Sequence, residues 1–289
     1  MTRPGTRQDD RPRVALESAL PVLGVPASAA GEVIDRLDRA VRDAGAEPLT
    51  VAVLSGQPVI GANREDLLRL ARAPGVTKVN TSNLGAVMHA GLDAATTVSA
   101  TMEIASGAGV RVMATGGIGG VHRGAFDVSA DLVALTRYPV AVVCSGCKSI
   151  LDARATREAL ETLGVPVIGV GADEFPAFYL RSGGSPVDAR FDDPADLARF
   201  LDAELARTGR GVVVANPIPE ADAVGEVEWS TWLAEAQRRA GRANGRDATP
   251  EVLAALHEAS GGATLRANLA LAEANARLAG GLAAALVRT

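Results

Sequence analysis

Val110-Arg-Val-Met-Ala-Thr-Gly-Gly-Ile-Gly-Gly-Val-His-Arg-Gly124 is the stretch that decides the fold class. Residues 110–114 read as a compact apolar strand, which runs straight into Thr115–Gly124 with its five glycines. A helix is expected over 129–136, so the stretch reads as strand, glycine loop, helix: one unit of an open α/β sheet. Toward the C-terminus the pattern repeats as strand 140–144, helix 152–163, strand 165–170, helix 195–207 and strand 211–215. Toward the N-terminus a strand is expected over 13–16, and a helix over 29–44 from Val33, Ile34, Leu37 and Val41 at helical spacing. A strand over 49–54, a turn through 56–61 into a second strand and an Asn63-capped helix over 64–72 follow. Then come a loop carrying Lys78 and a helical stretch over 96–106; from Glu220 onward the pattern is helical, through 253–260 and 265–286. The alternation predicts an α/β class, three-layer α/β/α fold with a central mixed sheet and a helical C-terminal cover. It predicts a single domain over 13–289, preceded by a disordered tail at 1–12.

Aromatics are only 3% of the chain, so the core must be built from Ala, Val, Leu and Ile. The net charge of −5 gives no basic footprint for a nucleic-acid polymer or an anionic membrane. No apolar run approaches the length of a membrane span, and no signal-peptide core follows Met1. The expectation is a cytoplasmic enzyme with small-molecule substrates. Cys144 and Cys147 have C-x-x-C spacing, but a zinc site would need a second pair that the chain lacks; two small residues at a buried strand end is the preferred reading over a redox pair.

Ligands of open α/β sheets collect beyond the carboxyl ends of the strands. Three places there carry unusual residues. The glycine loop can let its backbone approach a ligand or form an anion-binding nest, with His122 and Arg123 favouring phosphate. Its spacing is neither G-x-G-x-x-G nor a Walker A loop, which excludes dinucleotide and nucleoside-triphosphate readings. Asp127-Val-Ser-Ala-Asp131 permits two readings. Both carboxylates can face a divalent cation that keeps most of its waters, or Ser129 can cap a helix with Asp131 in its first turn. The third place is Lys148, just past the apolar strand. Of the 29 basic Lys and Arg residues only Lys78 and Lys148 are lysines, which leaves two readings: ordinary surface lysines, or lysines retained for chemistry that arginine cannot do. A strand-end lysine would be partly desolvated and able to form an imine with an aldehyde or ketone. Glu17, where a strand opens into a loop, is a candidate general acid/base.

Leu16-Glu17-Ser18, Thr96-Thr97-Val98, Ala114–Gly124, Phe126–Asp131, Lys148-Ser-Ile-Leu-Asp152, Val214–Glu220, Asn268 and Asn275-Ala276 together resemble the pseudouridine-5′-phosphate glycosidases, the indigoidine synthase A-like family. That family reversibly splits a C-glycosidic bond between ribose 5-phosphate and uracil. The resemblance implies Lys148 as the nucleophile and Glu17 as the proton donor and acceptor. It implies Asp127 as ligand of a metal, Mn²⁺ or another divalent cation. Lys78, Val98, Thr115, His122, Ser129, Ala130, Asp131 and Asn268 are implied as substrate contacts, and a homotrimer as the assembly.

This chain departs from the family pattern in two segments and at two further places: Cys147 stands where the family has alanine before the lysine, and Glu273-Ala274 precede Asn275 where it tends to carry a second asparagine. Ala19–Ser28 is apolar where the family carries a polar loop, and Lys78-Val-Asn80-Thr-Ser-Asn83-Leu84 lacks the usual two arginines and an aspartate. A pocket lined by Leu20, Val22, Leu23 and Val25 would suit a larger apolar ring than uracil. The reading is therefore a C-glycosynthase that joins ribose 5-phosphate to an aromatic metabolite of polyketide type, similar to the alnumycin-type branch. The alternatives are a pseudouridine-5′-phosphate glycosidase and, from another class, an inactive sugar-phosphate-binding protein.

Overall fold

Runs such as Ala141–Cys144 and Val212–Ala215 are buried along their whole length, as parallel strands covered on both faces must be. The computed structural model describes residues 11–124, 127–240 and 255–287. In chain order its first strands are β1 (Arg13–Glu17), β2 (Glu47–Leu54), β3 (Gln57–Ile60), β4 (Thr77–Val79), β5 (Ala94–Thr96) and β6 (Val112–Ala114). They are followed by β7 (Val121–His122), β8 (Ala141–Cys144), β9 (Leu151–Asp152), β10 (Val167–Val170), β11 (Ala189–Phe191) and β12 (Val212–Ala215). The described residues form a ten-stranded sheet in the order β11-β10-β12-β8-β6-β1-β2-β5-β4, with β3 also paired to β2. From β11 to β2 every pairing is parallel, whereas β3 and β5 run antiparallel to β2, so the sheet is mixed.

Alternate strand residues face opposite layers. Val14, Leu16, Ala114, Val143 and Val214 pack with helices α2 (Ala30–Asp43) and α8 (Pro194–Thr208) and the C-terminal helix Ala263–Leu286. Ala15, Met113, Val142 and Val213 face α5 (Val98–Gly107), α6 (Ala130–Leu135) and α7 (Ala153–Thr162). That is the expected three-layer fold with its helical cover.

The boundaries differ most where patterning is weakest. The expected loop around Lys78 is β4, and the stretch expected as helix from 96 divides into β5 and α5. β4 and β5 are three-residue strands at one side of the sheet, too short for a period to show, and pairing rather than propensity makes them strands. The tail expected at 1–12 and the helix expected from 253 lie partly outside the described residues, as does Phe126. No helix among the described residues is long and apolar enough to cross a membrane.

Candidate active site

Glu17 is the last residue of β1 and Thr115 the first after β6, its parallel neighbour, so their side chains leave adjacent strand ends. The Thr115 hydroxyl donates to Glu17 Oε1, and both residues are buried. Burial pushes the Glu17 carboxyl above the ordinary carboxylate range. Lys148 and the Thr115 hydrogen bond pull it back, Asp131 pushes it further up, and Lys78 pulls it down. Those charges therefore surround one buried acid. Lys78 on β4 is held below the ordinary amine value by partial burial and then by Lys148, against the opposing pull of Glu17 and Asp131. The residue is exposed, so water screens that lowering.

Lys148 is half-buried and lies in the loop after β8. This loop is zipped to the glycine loop after β6. Ser145 N–H donates to Gly116 O at 2.9 Å, Ile118 N–H to Gly146 O at 3.0 Å, and Lys148 N–H to Ile118 O at 3.0 Å. Gly146 has φ +80°, and any side chain there would strike the Pro176 carbonyl.

Several N–H groups of the glycine loop are already spent inside the protein. Thr115 N–H donates to Val143 O, Gly119 N–H to Asp131 Oδ2, Val121 N–H to Thr156 Oγ1 and His122 N–H to Asp127 O. Its glycines also serve close packing: a Cβ on Gly117 would meet the Phe178 ring, and one on Gly119 would meet Ser129 and Asp131.

Of the two expected roles for Asp127–Asp131, the cap is the one Ser129 fills: its Oγ accepts from Asp131 N–H at 3.2 Å at the start of α6. The two carboxylates have different surroundings. Asp131 is buried and spends its oxygens on Ser99 N–H at 2.9 Å and Gly119 N–H at 2.8 Å, joining α5 to the glycine loop. Asp127 is exposed, with His122 Nε2 at 3.8 Å from its Oδ2. Among the described residues no three His, Cys, Asp or Glu gather as a metal site. A single exposed carboxylate fits only a cation that takes most of its ligands from water or substrate, as Mg²⁺ and Mn²⁺ do.

The remaining candidates divide. Val98, the first residue of α5, is fully buried in the core. Ala130 opens α6. Asn268, on the C-terminal helix, has a buried Oδ1 without a hydrogen-bond partner, and a Cβ on Gly116 would lie 3.2 Å from it. Beside Glu17 and Gly116 lies a crevice of about 10 Å³, bordered by Leu20, Leu37 and Ala272 and large enough for about one water. Of the four apolar residues expected to line a pocket, only Leu20 reaches it. Val22 and Val25 are buried in separate cores, and Leu23 is exposed. Helix α1 (Ala19–Leu23) and the residues after it turn Val22 and Val25 inward to pack, which the run of small apolar residues could not reveal. Larger grooves of about 750 and 390 Å³ run along α3 (Arg64–Arg72) but hold none of these residues.

Burial pushes both Cys144 and Cys147 thiols up to about 12, and both are free, so neither offers a thiolate. Residues without an assigned role also converge here. Asn275, Asn216 and Ser145 form a hydrogen-bonded group under the two loops. The signal for Asn275 was its place seven residues after Asn268, on the same face of an Ala-rich helix.

A family model described as indigoidine synthase A like protein matches residues 5–285. The chain belongs to the indigoidine synthase A-like family. A pseudouridine-5′-phosphate glycosidase of Nocardioides sp. (strain ATCC BAA-499 / JS614) is 47% identical over 283 residues, covering 96% of this chain and 92% of the relative. One of Solibacter usitatus (strain Ellin6076) is 46% identical, covering 96% and 94%. Among solved structures, the prealnumycin C-glycosynthase AlnA in complex with ribulose 5-phosphate has TM-score 0.89 at 38% identity, covering 97% of this chain and 93% of that one. An indigoidine synthase A-like protein of Thermotoga maritima has TM-score 0.90 at 36% identity, covering 96% and 94%. This member of the indigoidine synthase A-like family is thus an enzyme that makes or breaks glycosidic bonds.

Proposed function

We propose that this enzyme interconverts pseudouridine 5′-phosphate with uracil and ribose 5-phosphate. The supporting observation is a buried acid, Glu17, whose strongest charge partner is Lys148. Breaking a bond between carbon C1 of a sugar and a ring carbon needs a proton for the ring carbon and an electron-poor form of C1. In the cleavage direction the Lys148 amine attacks C1, and the sugar's ring oxygen leaves C1 and takes a proton. The C1 bond to uracil then breaks as the lysine nitrogen forms an iminium, and the released electron pair on the ring carbon takes the Glu17 proton. Water hydrolyses the iminium to ribose 5-phosphate and the free amine. Lys78, Val98, Thr115, His122, Ser129, Ala130, Asp131 and Asn268 are the proposed substrate contacts. Asp127 would hold a hydrated divalent cation, which would neutralise phosphate charge. The glycosidase relatives, at 44–47% identity, favour this substrate over the aromatic one.

The likeness to prealnumycin C-glycosynthase supports a second reading, ribosylation of a larger aromatic ring. The apolar lining on which it depended reduces to Leu20. Borohydride reduction with ribose 5-phosphate, followed by peptide mass mapping, tests the shared chemistry. An adduct at Lys148, absent in Lys148→Arg, is expected; turnover that survives Lys148→Arg overturns it. Supplying uracil or a hydroxylated polycyclic aromatic acceptor separates the two readings: product from uracil is expected, and product from the aromatic alone would replace the first reading with the second.

A further inference from the structure

We propose that Asn275 is the positioning residue that holds Glu17 and Lys148 in register, by joining the loop that carries Lys148 to the loop whose Thr115 hydroxyl holds Glu17 at the end of β1. The inference rests on the roles of those two residues given above.

Asn275 is fully buried on the C-terminal helix, among alanines and leucines. Its Nδ2 donates to Thr115 O at 2.9 Å, to Gly116 O at 3.4 Å and to Ser145 Oγ at 3.1 Å. Its Oδ1 accepts from Asn216 Nδ2 at 2.9 Å. Turning the amide over would set Oδ1 against two carbonyl oxygens, so the surroundings fix its orientation. Asn is a weaker helix former than the alanines around it, and a buried amide is tolerated only when its hydrogen bonds are made. A helix-packing role alone would be filled better by Ala or Leu.

The partners are what give the residue meaning. Thr115 follows β6, and its hydroxyl donates to Glu17. Ser145 follows β8 and begins the loop that ends at Lys148. Asn216 follows β12, and its N–H donates to Cys144 O at 2.9 Å. One amide therefore joins three adjacent strand ends at the base of the zip between the loops. Beyond it the pairing Gly116–Ser145, Ile118–Gly146 and Lys148–Ile118 carries the register outward. Nothing covalent fixes the acid to the amine; their relative position depends on these bonds. Group placement of this kind is where a small displacement costs rate without costing binding.

Asn275→Asp keeps the shape and replaces the donors with an oxygen facing two carbonyls. The expected result is a fall of about 100-fold in kcat for joining uracil to ribose 5-phosphate. KM for ribose 5-phosphate should stay within about twofold, the sign of a lost transition-state arrangement. Amide hydrogen exchange should quicken at Ile118, Ser145 and Lys148 while β1 and β12 keep their protection. Ser145→Ala, a milder variant that keeps both carbonyl contacts, should show a smaller loss at the same amides and settles the matter if Asn275→Asp does not fold. Unchanged kcat with protected loops overturns the proposal, and so does faster exchange spread evenly through the sheet. If the unaltered enzyme does not couple uracil, the functional reading fails by itself, and the exchange pattern still decides the role of Asn275.

Discussion

A carboxyl at position 17 would be an ordinary acid if β1 ended in solvent; instead it ends under Thr115, and burial raises its affinity for a proton. This has a measurable cost. The folded-state pKa of Glu17 lies above its unfolded value of 4.5, so between the two the folded protein holds a proton the unfolded chain has released. Stability therefore falls as pH rises through that window, and the loss persists above it. Glu17→Gln removes the titration. Its stability in urea, compared with the parent protein at successive pH values, should rise relative to the parent from about pH 4.5 upward. A parent protein that gains on the variant as pH rises would mean that the acid is not held by burial. The same variant should lose about 10²- to 10⁴-fold in turnover while Lys148 still forms its reducible adduct, because the proposed mechanism assigns proton delivery and imine formation to different side chains.

At the scale of elements, the glycine loop is a packing device as much as a ligand wall. Gly119 lets α6 approach until Asp131 reaches its N–H, and the same carboxylate holds Ser99 at the start of α5. Gly119→Ala would push a methyl group into Ser129 and Asp131. A loss of about 1–3 kcal/mol in unfolding free energy is expected, with reduced kcat/KM, measured by urea denaturation and coupling assays. Unchanged stability would mean that the loop has slack. The loop's existence, the strand before it and the helix after it were legible because an apolar run, a glycine cluster and a capping serine are local signals. The direction of its N–H groups was not, because their acceptors, Val143, Thr156 and Asp131, come from other elements. Lys148 and Glu17 stood out by rarity and position. Asn275 stood out only as part of the family resemblance and by its spacing from Asn268; its partners were not legible, since a polar residue in a helix acquires a role only when the strand ends beneath it are known.

Across the whole molecule, the C-terminal helix closes one layer and supplies Asn268 and Asn275 to the candidate site, so what fastens it bears on activity as well as stability. Two kinds of contact bind it to α2. One is ionic: Arg36 pairs with Glu273 at 3.0 Å, with side chains 38% and 30% exposed. The other is apolar: Leu282, Ala279 and Ala283 are buried with Leu37, Ala40 and Val41 in one core. An ion pair that keeps a third of its surface in water is screened and loses side-chain freedom, so its net worth is about 0–1 kcal/mol. A fully buried leucine loses its transfer energy and leaves a cavity when truncated, at a cost of about 2–5 kcal/mol. Glu273→Gln should therefore move the urea midpoint little and leave turnover unchanged. Leu282→Ala should lower the midpoint strongly and, in the surviving folded fraction, speed amide exchange along the helix toward Asn275. The reverse order of effects would mean that charge, not burial, seats the helix over the strand ends.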